Sequence, residues 1–166
     1  SSFRGPVSER LRCFDLATGQ LRWSESESIA YRDLYGYEAG PRSSPTIVGN
    51  RVLTYGVTGK LICRDTDRGE TLWSVDTNAD YGVVQNFFGA GSAPLVLDDM
   101  VIVMVGGSPA EDQAIAPGRL DRVIPNGSAV VAFDLETGAE RWKCGDDLAS
   151  YSSPRPIQID GKTFVL

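Results

Sequence analysis

The chain of 166 residues contains no histidine. Its absence excludes imidazole acid–base catalysis and zinc–imidazole ligation within these residues. Cysteine is sparse: Cys13, Cys63 and Cys144 make an odd number, and their spacing fits no metal motif. Long hydrophobic runs are missing. The longest clear aliphatic stretch, Met100 to Val105, falls far short of the roughly 20 residues that span a bilayer as a helix. A basic excess is missing too. The net charge is −6, which argues against a nucleic-acid partner, because such binding rests on phosphate neutralisation. No low-complexity tract occurs. Hydrophobic content of 42% and charged content of 23% are ordinary for one globular domain.

What is present is a repeat. Val130-Val131-Ala132-Phe133-Asp134-Leu135-Glu136-Thr137-Gly138-Ala139-Glu140-Arg141-Trp142 has two earlier relatives, Cys13 to Trp23 and Cys63 to Trp73. The frame is Asp, two residues, Thr or Arg, Gly, three residues, Trp. All three tryptophans of the chain close a copy of it. The frame reads as a hairpin. Asp15, Asp65 and Asp134 open the turn and accept N–H groups two and three residues ahead. Gly19, Gly69 and Gly138 supply a positive φ. Arg68 replaces Thr in the middle copy while Gly69 stays, so the glycine conformation is the stricter requirement. Trp23, Trp73 and Trp142 are expected to be buried, capping the gap between neighbouring units.

A second repeated element begins at Pro45, Pro94 and Pro154. Each copy is a proline, a short apolar strand, a polar turn and another apolar strand. Proline is tolerated at the start of a strand, and Asn50, Asp98-Asp99 and Asp160-Gly161 suit tight turns. One unit is therefore four short antiparallel strands, A to D. Fifty positions separate Trp23 from Trp73 and 69 separate Trp73 from Trp142. Four strands at this spacing predict an all-β chain built from β-propeller blades. The apolar runs are too short and too β-branched for a helical solenoid.

The residues Ala132 to Trp142 resemble the pyrroloquinoline-quinone-like (PQQ-like) β-propeller repeat, Ala-x-Asp-x-x-Thr-Gly-x-x-x-Trp, at every fixed position. Cys13 to Trp23 departs only by Cys for Ala; Cys63 to Trp73 departs by Cys for Ala and Arg for Thr. The family resembled includes quinoprotein dehydrogenases and the propeller lipoprotein of outer-membrane protein assembly. The resemblance implies a periplasmic or otherwise exported protein. For the dehydrogenases it implies PQQ, a calcium held by carboxylate and amide ligands, an aspartate base and, in many members, a vicinal cysteine pair. No Cys-Cys occurs here, and no single loop concentrates such a ligand set. Asp65-Thr66-Asp67 looks like the start of a calcium loop but lacks the closing acidic ligands, so Asp67 is read as a turn residue. The sequence thus names no catalytic or metal residue. The expected function is a non-catalytic exported binding or scaffold module with a protein or glycan partner. The alternative is a PQQ-dependent quinoprotein oxidoreductase carrying PQQ and calcium.

In chain order, residues 1–8 read as a loop, followed by a C–D half-blade at about 9–25. Full blades are expected at about 45–76 and 94–145, the latter with an insertion at 106–127. An A–B half-blade follows at about 154–166. On this reading the chain is one partial propeller domain, a fragment of a longer chain. Cys13, Cys63 and Cys144 are expected as free, buried thiols, and Asn126-Gly127-Ser128 as an incidental glycosylation match. Connections 24–43, 76–92, 106–127 and 145–153 are long, whereas the A–B and C–D turns are short. Loops on a rigid scaffold carry binding groups. Tyr37, Glu38, Arg42, Asn86 and Tyr151, each near the approach to an innermost strand, are the candidate binding residues.

Overall fold

The computed structural model describes residues 7–31, 40–83, 89–116 and 119–166. The chain is nearly all β, in four antiparallel sheets that form propeller blades. The first pairs β1 (Val7–Phe14) with β2 (Leu21–Ile29). The second runs in the order β3 (Thr46–Val48), β4 (Arg51–Tyr55), β5 (Lys60–Asp65), β6 (Thr71–Asp76). The third runs β7 (Leu95–Leu97), β8 (Met100–Met104), β9 (Val130–Asp134), β10 (Glu140–Cys144). The fourth pairs β11 (Pro156–Ile159) with β12 (Lys162–Val165). Among the described residues no helix is long and apolar enough to cross a membrane.

The turn chemistry follows the repeat. Asp134 Oδ1 accepts the N–H groups of Glu136 and Thr137 at 3.0 and 2.8 Å, and the Thr137 hydroxyl at 2.8 Å. Asp15 Oδ1 accepts the Thr18 N–H and hydroxyl at 2.8 Å each. Asp65 Oδ1 takes the N–H groups of Asp67 and Arg68, with no hydroxyl to add. Gly19, Gly69 and Gly138 hold φ values of 68°, 78° and 73°. Arg141, bonded to Asp134 and Asp99, holds the Asp134 carboxyl down at about 2, with help from Thr137.

The core lies between the second and third blades. Leu53, Tyr55, Leu61 and Cys63 meet Val101, Val103, Val131 and Phe133. β9 is buried on both faces, since Val131 and Ala132 are both inaccessible. That is what a strand sandwiched between blades requires.

Each tryptophan stands opposite a small residue: Cys13 pairs with Trp23, Cys63 with Trp73, Ala132 with Trp142. The indoles of Trp23 and Trp73 then reach to the next blade. Trp23 Nε1 donates to Thr66 O at 2.9 Å and Trp73 Nε1 to Leu135 O at 3.0 Å. A Cβ on Gly69 would lie 2.7 Å from the Trp23 ring, and one on Gly138 2.7 Å from the Trp73 ring. The glycine thus serves twice, in the turn and as a seat for the neighbour's indole.

Several expectations need correction. Val7 and Ser8 belong to β1, not to a loop. β2 continues to Ile29, so the connection starts later than residue 24. Its serines looked loop-like, but Ser24, Ser26 and Ser28 alternate with Trp23, Glu25, Glu27 and Ile29, and only the second set is turned inward. The connection after β6 contains a short helix, α1 (Thr77–Tyr81), whose N–H groups at Asn78 and Ala79 are capped by Asp76. The tryptophans are not uniformly buried: Trp23 and Trp73 are half-buried and Trp142 is 37% exposed. Nor are the thiols: Cys63 is buried, Cys13 half-buried and Cys144 exposed, all three free. Burial pushes the Cys63 thiol up to about 11, which leaves it protonated and unreactive at neutral pH.

Candidate functional site: a polar cleft where the innermost strands begin

The sheets present two kinds of edge. At one, the short turns meet: Thr66 N–H donates to Asn50 O, and Leu135 N–H to Asp99 O. At the other, the long connections tie to one another and to the turn between β4 and β5. Ala90 N–H donates to Val57 O, and the Ser108 hydroxyl to Gly82 O at 2.6 Å. Asn126 Nδ2 donates to Tyr81 O at 2.8 Å, and Ser128 is 1% exposed. The glycosylation match is therefore a folded part of this end.

Three segments lead into β3, β7 and β11 at the long-connection end, and hydrogen bonds fasten them side by side. Thr46 Oγ1 donates to Pro94 O at 2.5 Å. Ala93 N–H donates to Ser153 Oγ at 2.9 Å. Ser43 Oγ donates to Tyr55 O at 2.8 Å, anchoring the first segment to its own blade. The first two bonds join residues at or next to the repeated prolines Pro45, Pro94 and Pro154.

Between these segments opens a cleft of about 480 Å³. Arg42, Thr46, Gly91, Tyr151, Ser153 and Arg155 line it. Gly91 separates two of them: a Cβ there would lie 2.9 Å from Tyr151 Cδ1 and 3.4 Å from Arg42 Cβ. The described lining has two arginines and several hydroxyls but no aspartate, glutamate or asparagine. In a chain of net charge −6, two arginines thus stand in one concave place. Such a lining donates hydrogen bonds to carboxylate, phosphate or sugar oxygens. It does not fit the calcium ligands and aspartate base implied by a quinoprotein dehydrogenase. Among the described residues no group of three or more His, Cys, Asp or Glu side chains could hold a metal ion.

Of the five candidate binding residues, Arg42 and Tyr151 come together here. Tyr37, Glu38 and Asn86 lie outside the described residues. Sequence reasoning missed Thr46, Gly91, Ser153 and Arg155. Thr46 and Ser153 adjoin the repeated prolines Pro45 and Pro154, which was the signal for them.

The family model described as outer membrane protein assembly factor BamB matches residues 7–166. None of the curated proteins matches the chain. Among solved structures, a europium-containing methanol dehydrogenase is similar at 19% identity and a TM-score of 0.51, over 80% of this chain and 20% of that one. The quinohemoprotein alcohol dehydrogenase ADHIIG of Pseudomonas putida HK5 is similar at 22% identity and 0.51, over 84% and 18%. The computationally designed Ika4 protein is similar at 13% identity and 0.53, over 95% and 78%. At these identities the likeness is one of fold. The chain spans about a fifth of the length of either dehydrogenase.

Proposed function

Because the chain belongs to the family of the outer membrane protein assembly factor BamB, we propose that it is a non-catalytic, exported binding module. Its cleft at the long-connection end receives a protein or glycan partner. The observation that carries this reading is the convergence of Arg42, Tyr151 and Arg155 on one cleft whose described lining holds no acidic group. A rigid β scaffold bearing arginine and tyrosine at a concave centre has the composition of a binding hot spot. The lining offers donors for partner oxygens and no general base, which favours recognition over turnover.

The test is binding to peptide and glycan panels by the parent protein, by Arg42→Ala, Tyr151→Ala and Arg155→Ala, and by the short-turn variants Asn50→Ala and Asp160→Ala. Loss in the cleft variants, about tenfold or more for a hot-spot arginine, supports the reading. Loss confined to the short-turn variants places binding at the opposite end. Titration with PQQ and calcium, followed by a dye-linked alcohol oxidation assay, tests the dehydrogenase alternative. Turnover there overturns the non-catalytic reading.

A further inference from the structure

We propose that the gap between the first and second blades binds a small amine. Its ammonium group sits on the Glu9 carboxylate, and a hydroxyl or carbonyl oxygen a few carbons away meets Arg64 Nε.

The argument starts from strand register. β1 and β2 place Glu9 directly opposite Glu27, on the face turned to the second blade. Like charges in that relation repel. Glu27 is compensated: Lys60 Nζ lies 2.9 Å and Arg64 Nη2 2.7 Å from its carboxylate. Those two cations are then committed. Among the described residues Glu9 keeps one donor, the Val57 N–H at 2.9 Å. Arg10 borders the gap, but it alternates to the other face of β1 and is exposed. Burial raises the Glu9 pKa, the Val57 hydrogen bond opposes this, and Glu27 adds to the rise. The other oxygen, Oε2, occupies a space that glycine leaves open, since a Cβ on Gly56 would lie 2.4 Å from it.

A cavity of about 200 Å³ adjoins this carboxylate, walled by Leu11, Pro41, Pro45, Tyr55 and Ile62. Arg64 also lines it and is 3% exposed. Its Nη1 bonds Thr71 and its Nη2 bonds Glu27. Its Nε is buried with no partner among the described residues. A buried donor left unmet is costly, and so is a desolvated carboxylate without a cation. An ammonium group answers the second and an acceptor oxygen the first. A ligand with both ends, an amino alcohol, satisfies the two together. The volume sits below the roughly 300 Å³ at which drug-sized pockets begin, so the ligand has few heavy atoms.

The experiment is calorimetry plus amide NMR on the whole chain with four probes. Aminobutanol carries both ends, butylamine only the cation and butanediol only the oxygens; N-acetyl-lysine amide represents a partner's side chain. Aminobutanol is expected to bind best and to move the Gly56 and Val57 amide resonances. Its affinity should drop about tenfold or more in Glu9→Gln, the loss of a charge-assisted hydrogen bond. Gly56→Ala, which displaces the Glu9 side chain, should act in the same direction. Butylamine should bind more weakly than aminobutanol, and butanediol weakest. Unchanged affinity in both variants, shifts elsewhere, or equal binding of butanediol overturns the proposal. Tighter binding of N-acetyl-lysine amide than of aminobutanol overturns the small-ligand assignment in favour of a lysine side chain.

Discussion

Gly69 and Gly138 each meet two demands, a left-handed backbone and contact with an indole, whereas Gly19 meets only the first. A Cβ at Gly19 would have nothing within 4 Å. Gly19→Ala should therefore cost only the left-handed strain, about 1–2 kcal/mol. Gly138→Ala should cost more, because the new methyl group also pushes against the Trp73 ring. Urea titration of the two variants checks the order. The tryptophans should rank as well. Trp73→Ala removes a half-buried ring and its bond to Leu135 O, at about 2–4 kcal/mol, below the full-burial range for the partial exposure. Trp142 is more exposed, and its replacement should cost less than that of Trp73. Equal losses at the two sites would contradict this account of the indoles.

At the scale of elements, β1 and β2 meet the second blade through the Trp23 indole and the ion pairs of Glu27, and the second blade meets the third through an apolar layer. Glu27→Ala should leave Arg64 buried without its carboxylate. The expected loss is about 1–3 kcal/mol, reduced from the fully buried case because Glu27 is 32% exposed. Glu136→Ala breaks the Arg51 pair where the carboxylate is 65% exposed, and should cost under about 1 kcal/mol. The two carboxylates of the first interface also respond oppositely to pH. Burial works against Glu27's ionisation, but Lys60 and Arg64 outweigh it and lower its pKa. Its contribution is present above the unfolded glutamate value of about 4.3 and is lost as pH falls through the lower folded value. The Glu9 pKa is raised. Its contribution is full below about pH 4.3 and is lost as pH rises through the higher folded value. Without ligand, Glu9→Gln should therefore be more stable than the parent near pH 7, with the gain vanishing below about pH 4. Urea midpoints at the two pH values measure the difference.

For the whole molecule, the long connections gather at one end of the sheets, and the proposed binding cleft lies there. The cleft there is held by bonds between blades, Thr46 to Pro94 and Ala93 to Ser153. Thr46→Val keeps the shape and removes the hydroxyl. It should weaken partner binding through misplacement of Arg42 and Tyr151 while changing the urea midpoint little, since one hydrogen bond is worth about 1 kcal/mol. A binding loss matched by an equal stability loss would mean that the bond only holds the fold.

The hairpins and the glycine turns were legible in the residues alone. They depend on contacts within a few positions of one another and on the two-residue alternation of a strand. The same alternation would have extended β2 through its serines, had the inward set been counted before the polar one. Arg42 and Tyr151 were reachable because the repeat shows where an innermost strand begins. Arg155 and Gly91 were not singled out, since each matters only through a neighbour on another blade. The unequal exposure of Trp23, Trp73 and Trp142, and the different fates of Glu9 and Glu27, were decided by tertiary structure. Copies of one motif are alike in sequence, but each packs against a different neighbour. Burial and charge pairing are set across separations such as Trp23 to Thr66 and Arg64 to Glu27, which no local pattern encodes.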